Sequence, residues 1–197
     1  MAKRKNVQIS KTLVVIILSA ILVIAYIYMT NNRNANKIGN ATISDEVKSI
    51  LSKDIEATYP DSPREVVKLY SRINVCYYKE SLNDDNLKAM VNQQRLLFDD
   101  ELLSNNTLEN QLSNLKVEIK EYKKVNRLII SYTVNKSSTV KTWTRDGVDF
   151  ASLIASYSLK DDKGVSRTDE LFLLRKDMNG KWKIVGWELA APSNVEE

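Results

Sequence analysis

The chain has 197 residues, with 29 lysines and arginines against 25 acids, no histidine, one cysteine and five glycines. The missing histidine removes Ser-His-Asp and Cys-His catalysis and most transition-metal sites. The lone Cys76 removes an intramolecular disulfide or a structural zinc site, and the scattered glycines form no phosphate loop, so no cofactor or metal is expected.

Charge is distributed unevenly. Lys3, Arg4, Lys5 and Lys11 precede the apolar run that starts at Leu13 and all the acids follow it, so the remaining 25 cations face 25 acids. The body of the chain is therefore neutral, and it lacks the net basic surface that a nucleic-acid partner needs.

The first element is an unbroken apolar run, Leu13 to Met29. As a helix it reaches about 25 Å, and Thr12 and Thr30 extend it toward the ~30 Å of a bilayer core. The lipid bilayer is thus the first expected partner. The four basic residues before the run are topology-determining and stay cytoplasmic, which places the rest of the chain outside the cell. A cleaved signal peptide is the rival reading. It fits the charged start, but Ile27, Tyr28 and Met29 are poor small-residue cleavage positions. The organisation expected is a basic flank over 1–12, a single-pass anchor over 13–30, a polar stalk over 31–41, an extracytoplasmic domain over 42–190 and a loose tail over 191–197.

Helical spacing then dominates. Ser44 caps a helix with Val47, Ile50, Leu51 and Ile55 on one face, ended by Tyr59-Pro60-Asp61. Ser62-Pro63-Arg64-Glu65 starts a second, with a capping box and a stripe of Val66, Leu69, Tyr70, Ile73 and Tyr77. A third follows Asn83 through Leu87, Met90 and Val91, extending toward Leu97 and Phe98. Thr107 caps a fourth, with Leu108, Leu112, Leu115, Ile119 and Tyr122. Between them, Asp99, Asp100 and Glu101 read as a solvated turn rather than a calcium loop.

After Lys124 the period falls to two. Strands are expected over Leu128 to Val134, Thr139 to Arg145, Phe150 to Leu159, Glu170 to Lys176 and Lys181 to Leu189. Turns at Asp146-Gly147, Asp161 to Gly164 and Asn179-Gly180 join the later ones. In the last strand Trp182 and Ile184 share a face, and Gly186 marks a bulge that reorients Trp187. The fold class is α+β: about four helices packed on an antiparallel sheet of about five strands.

That order, with the ending Asn179-Gly180-Lys181-Trp182-Lys183-Ile184-Val185-Gly186-Trp187-Glu188-Leu189, resembles the NTF2-like (cystatin-like) superfamily. Together with Ser62 to Tyr70 and Leu171 to Asp177 it also resembles a family of uncharacterised single-pass membrane proteins of Gram-positive bacteria. The resemblance implies a curved sheet wrapped around helices as a cone. It selects no activity, since that fold hosts enzymes, secretion components and binding modules alike.

Trp182 and Trp187 read as core. Trp143, in a polar strand, reads as an exposed contact or a lid over the cone. Tyr70, Tyr77 and Tyr78 cluster on one helix, and Tyr77, Tyr78 and Trp143 are the candidate ligand or partner contacts. Cys76 reads as an inert buried thiol. No catalytic residue is assigned, so the chain reads as a non-enzyme. The leading expectation is a membrane-tethered interaction or ligand-binding module, its small ligand unspecified. A second is a subunit of a cell-envelope conjugation or secretion assembly, with another envelope protein as partner. A third, an enzyme pairing a tyrosine with a carboxylate, requires those groups to converge in a pocket. A cone filled by Leu171, Leu173 and Trp182 would end it.

Overall fold

The computed structural model describes residues 43–190. The basic flank with Lys3, Arg4, Lys5 and Lys11, the apolar run, the stalk and the tail lie outside the described residues. Among those described, no helix is long and apolar enough to cross a membrane.

Helix α1, Asp45–Leu51, begins where Ser44 Oγ accepts a hydrogen bond from the Val47 amide at 3.3 Å. It stops at Ser52, short of the expected Ile55. Asp54 takes over the backbone there: its carboxylate accepts from the Ala57 amide at 2.9 Å and its carbonyl accepts from Thr58. Ile55 still reaches the core, from a turn.

Helix α2, Pro63–Lys79, has Ser62 as cap and Pro63 in its first turn. The expected capping box is only half made. Ser62 Oγ accepts from the Glu65 amide, whereas the Glu65 carboxylate turns to Arg64 and Lys68. The expected stripe is buried, and Val67, Ser71, Cys76 and Tyr78 are buried with it. This helix is apolar over most of its circumference because it packs on β1, β3 and β5 and also against the other helices.

Helix α3, Asp84–Arg95, is capped by Asn83. Leu97 and Phe98 are buried but lie outside it. The segment runs beside β5 instead, with the Ile184 amide donating to Leu97 O at 2.8 Å and the Asp99 amide donating to Ile184 O at 2.9 Å. A short helix that the sequence pattern did not reveal, α4 (Asp100–Asn105), follows, with Asp99 as its cap. Helix α5, Leu108–Lys124, is capped by Thr107 and buries Leu115.

Five strands form one antiparallel sheet: β1 Leu128–Val134, β2 Lys141–Arg145, β3 Val148–Asp161, β4 Gly164–Lys176 and β5 Trp182–Leu189. It is not a simple meander. β1 and β2 lie end to end along the same edge of β3, β1 against Ala155 to Lys160 and β2 against Val148 to Ser152. The sheet is thus four positions wide, in the order β1 or β2, β3, β4, β5. β4 starts at Gly164, six residues before the expected Glu170, because the Asp162-Lys163 turn lets the hairpin pair without a break. At Asp146-Gly147 both residues have positive φ, +52° and +77°, as a tight two-residue hairpin requires. The Asn179-Gly180 turn is longer. The Asp177 carboxylate accepts from the amides of Asn179 and Lys181, and only Gly180 is left-handed, at φ +75°.

One register detail sets the inner face of the sheet. Leu173 pairs with Gly186 but Leu174 pairs with Ile184, so Val185 is an extra residue. The bulge reverses the alternation beyond it. Trp187 therefore lies opposite Phe172, on the helix-covered face, with ring centroids 5.9 Å apart.

Candidate ligand cavity

A cavity of about 490 Å³ opens between α2, the α3–α4 segment, α5 and the inner ends of β4 and β5. Its apolar wall is aromatic. Tyr70 lies 5.1 Å from both Phe172 and Trp187, and Phe98 lies 5.9 Å from Trp187. Such rings gain from tilted and offset contacts beyond their buried area. Trp187 remains 40 % exposed, so it is a cavity wall rather than the core residue expected; Trp182 is buried.

The polar groups converge from opposite sides. Asn74, Tyr77 and Tyr78 come from α2, Gln94 from α3, and Gln111, Asn114 and Glu118 from α5. Gln94 is 3 % exposed. Its Oε1 accepts from the Tyr77 hydroxyl at 3.3 Å and from Gln111 Nε2 at 3.4 Å, and its Nε2 is buried without a partner. Glu170 enters from β4, and its Oε2 is also buried and unpartnered. Native interiors leave few such atoms, since each costs about 1–3 kcal/mol.

Burial, reinforced by Glu118, pushes the Glu170 carboxyl up to about 7. The charged form is disfavoured because water is lost and the Glu118 charge has the same sign. Burial also raises the phenols of Tyr70 and Tyr77 well above their ordinary value, and it raises Tyr78. They remain protonated at any physiological pH. None of the residues lining the cavity is a lysine or arginine.

Among the candidate contacts, Tyr77 and Tyr78 line the cavity and Trp143 does not. Trp143 is 42 % exposed on β2 and stacks on Phe150 at 5.7 Å, so it is no lid. Leu171 and Leu173 fall on the opposite side of β4 from Phe172 and do not fill the cavity. Cys76 is buried, and burial pushes its thiol up to about 11. Asp99 is not in a solvated turn; it is 5 % exposed and bound to Arg175. No three potential metal ligands of the His, Cys, Asp or Glu type cluster among the described residues.

Glu170 and Gln94 escaped notice in the sequence, yet both left a mark there. Gln94 continues the Leu87, Met90, Val91 spacing of α3, and Glu170 continues the alternation of Phe172 and Leu174 on β4. A polar residue at an apolar-phase position is the signal.

Residues 1–187 match the model of a family described as a domain of unknown function (DUF6715). No curated protein matches the chain.

Proposed function

Because the chain belongs to the DUF6715 family, whose description states no chemistry, we propose its function from the cavity: a membrane-tethered, extracytoplasmic module that binds a small ligand. The observation that carries this reading is that Gln94 and Glu170, which line one aromatic-walled cavity, each hold a buried, unpartnered polar atom, Nε2 and Oε2. An apolar cleft with a few convergent polar groups is what a small-molecule site requires. The tether rests on the apolar run Leu13 to Met29 and the basic residues before it. Helices covering one face of an antiparallel sheet, with the cavity between, support the NTF2-like cone.

Binding is favoured over catalysis. A carboxylate and phenols do converge, but Tyr70 and Tyr77 are held protonated by burial and do not act as bases near neutral pH. They serve as walls and hydrogen-bond donors.

The reading is tested by native mass spectrometry of the full chain purified from its own membrane in a non-ionic detergent. Asn114→Trp plugs the mouth from an exposed helix position and costs the fold little. Wild type should carry a small molecule that N114W lacks. Both chains emerging bare, in repeated preparations, would contradict it.

A second reading, a subunit of an envelope assembly, is favoured by one feature: Trp143 stacked on Phe150, with Leu173 also open to solvent. A photo-crosslinking residue at position 143 should then capture one envelope protein reproducibly. Failure to capture any would remove this reading.

A further inference from the structure

Charge inside the cavity selects the ligand. Glu118 stands at the exposed rim on α5, and Glu170 sits deeper on β4 with an unpartnered oxygen. No cation lines the site. The groups facing Glu170 are Glu118 and Tyr122 from α5, Tyr70 and Tyr78 from α2, and Tyr157 from β3. The guanidinium near this group, Arg127, lies 5.6 Å over the Tyr122 ring and is bound to Asp161 at 2.7 Å, so its charge is already matched. On the other side stand Trp187, Phe98 and Tyr70, rings whose faces attract a cation.

We propose that the cavity binds a protonated organic amine, its ammonium beside Glu170 and Glu118 and its apolar body against Trp187. An anion would meet the buried Glu170 and the rim carboxylate Glu118, with no lining cation to offset the repulsion. A neutral molecule would satisfy Gln94 but leave Glu170 unmatched. An ammonium supplies the missing opposite charge, and an acceptor oxygen on the same ligand would satisfy Gln94 Nε2. Binding then draws Glu170 into its ionised form. Since that carboxyl titrates near 7 in the empty site, amine uptake releases a proton around neutral pH and strengthens as pH rises through that region. This inference rests on the ligand-binding reading above.

Three probes of one shape separate the two claims: phenethylamine, 2-phenylethanol and phenylacetate, carrying positive, zero and negative charge. Each is titrated by calorimetry into the full chain in non-ionic detergent at pH 8. The amine should bind on the order of tenfold more tightly than the alcohol, with no binding of the acid. Repeating the amine titration near pH 7 in two buffers of different ionisation enthalpy should reveal net proton release. Glu170→Gln should reduce the amine to the affinity of the alcohol and abolish the proton release, while a cooperative melting transition shows that the variant is folded. Equal binding of amine and alcohol by wild type, or amine binding unchanged in E170Q, would overturn the cation inference while leaving a ligand cavity in place. If none of the three binds, both the inference and the reading beneath it fall.

Discussion

Arg175 on β4 closes a two-pronged bridge on Asp99, 76 residues earlier in the chain: Nε donates to Oδ2 at 2.8 Å and Nη2 to Oδ1 at 2.5 Å. Asp99 also caps α4, accepting from the Glu101 amide at 2.9 Å. One carboxylate therefore holds the cavity-side helix segment to the sheet, next to the point where Leu97 to Asp99 pair with Ile184. Paired, planar contacts of this kind are among the stronger side-chain hydrogen bonds.

Asp99→Asn separates these roles, because asparagine caps a helix as well as aspartate does. Removing the charge should destabilise the protein by about 1–3 kcal/mol, less than a fully buried pair would lose because Arg175 is about a third exposed. Asp99→Ala should lose about 1 kcal/mol more, the value of the cap. Urea unfolding of both variants in detergent checks the order; equal loss in the two would show that the cap contributes nothing.

Glu170 predicts a pH dependence of stability. Its folded carboxyl titrates near 7, above its ordinary value of 4.5. Between these values the folded state holds a proton that the unfolded state has released. Wild-type stability therefore falls as pH rises through that window. Glu170→Gln removes the penalty, so its advantage over wild type should be near zero at pH 4 and level off above pH 8. The plateau is on the order of 1–3 kcal/mol. Melting temperatures of the two chains across this range test it, and a constant difference would exclude it. A native residue that weakens the fold at working pH is what a site retained for binding would show.

Two glycines should respond oppositely to alanine. Gly147 sits at φ +77° in the β2–β3 hairpin, where a Cβ is strained even though the space around it is open. Gly147→Ala should cost about 1 kcal/mol. Gly186 lies in the bulge with an ordinary φ and nothing within 4 Å of an added Cβ. Gly186→Ala should stay within about 0.5 kcal/mol of wild type. Thermal unfolding of both is sufficient, and a large loss at Gly186 would mean that the bulge needs glycine itself.

The helix caps, the burial of the α2 stripe and the turn at Asp146-Gly147 were legible because each depends on a few neighbouring residues. What was not legible depends on distant partners. α1 ends early because Asp54 captures backbone donors, and Leu97 and Phe98 leave the helix because the edge of β5 offers them a pairing partner. The end-to-end placement of β1 and β2 is fixed only by how much of β3 each covers. The bulge at Gly186 and a reoriented Trp187 were readable, but the side to which Trp187 turns was not. That Trp187 turns into the cavity follows from Leu173 and Leu174 on the neighbouring strand. The same holds for the site: Tyr77 and Tyr78 were visible as an aromatic cluster, whereas Glu170 acquires its character from burial and from Glu118.

The proposed orientation makes Ser138 an external position. It lies exposed in the short 3-10 turn Ser137–Thr139 between β1 and β2. Ser138→Cys should react with a membrane-impermeant maleimide in intact cells. The native Cys76 is buried, with its thiol held high, and should stay silent without being replaced. Labelling only after lysis would place the domain inside.

The claim that the cavity is the working site is tested most directly by nuclear magnetic resonance of the full chain with a mixed set of small aromatic amines, alcohols and acids. The account predicts shifts at the Trp187 indole N–H and at the side-chain amides of Gln94 and Asn114, all of which line the cavity, with the amines strongest. Shifts confined to Trp143 and the outer face of the sheet, or no shifts at all, would contradict it.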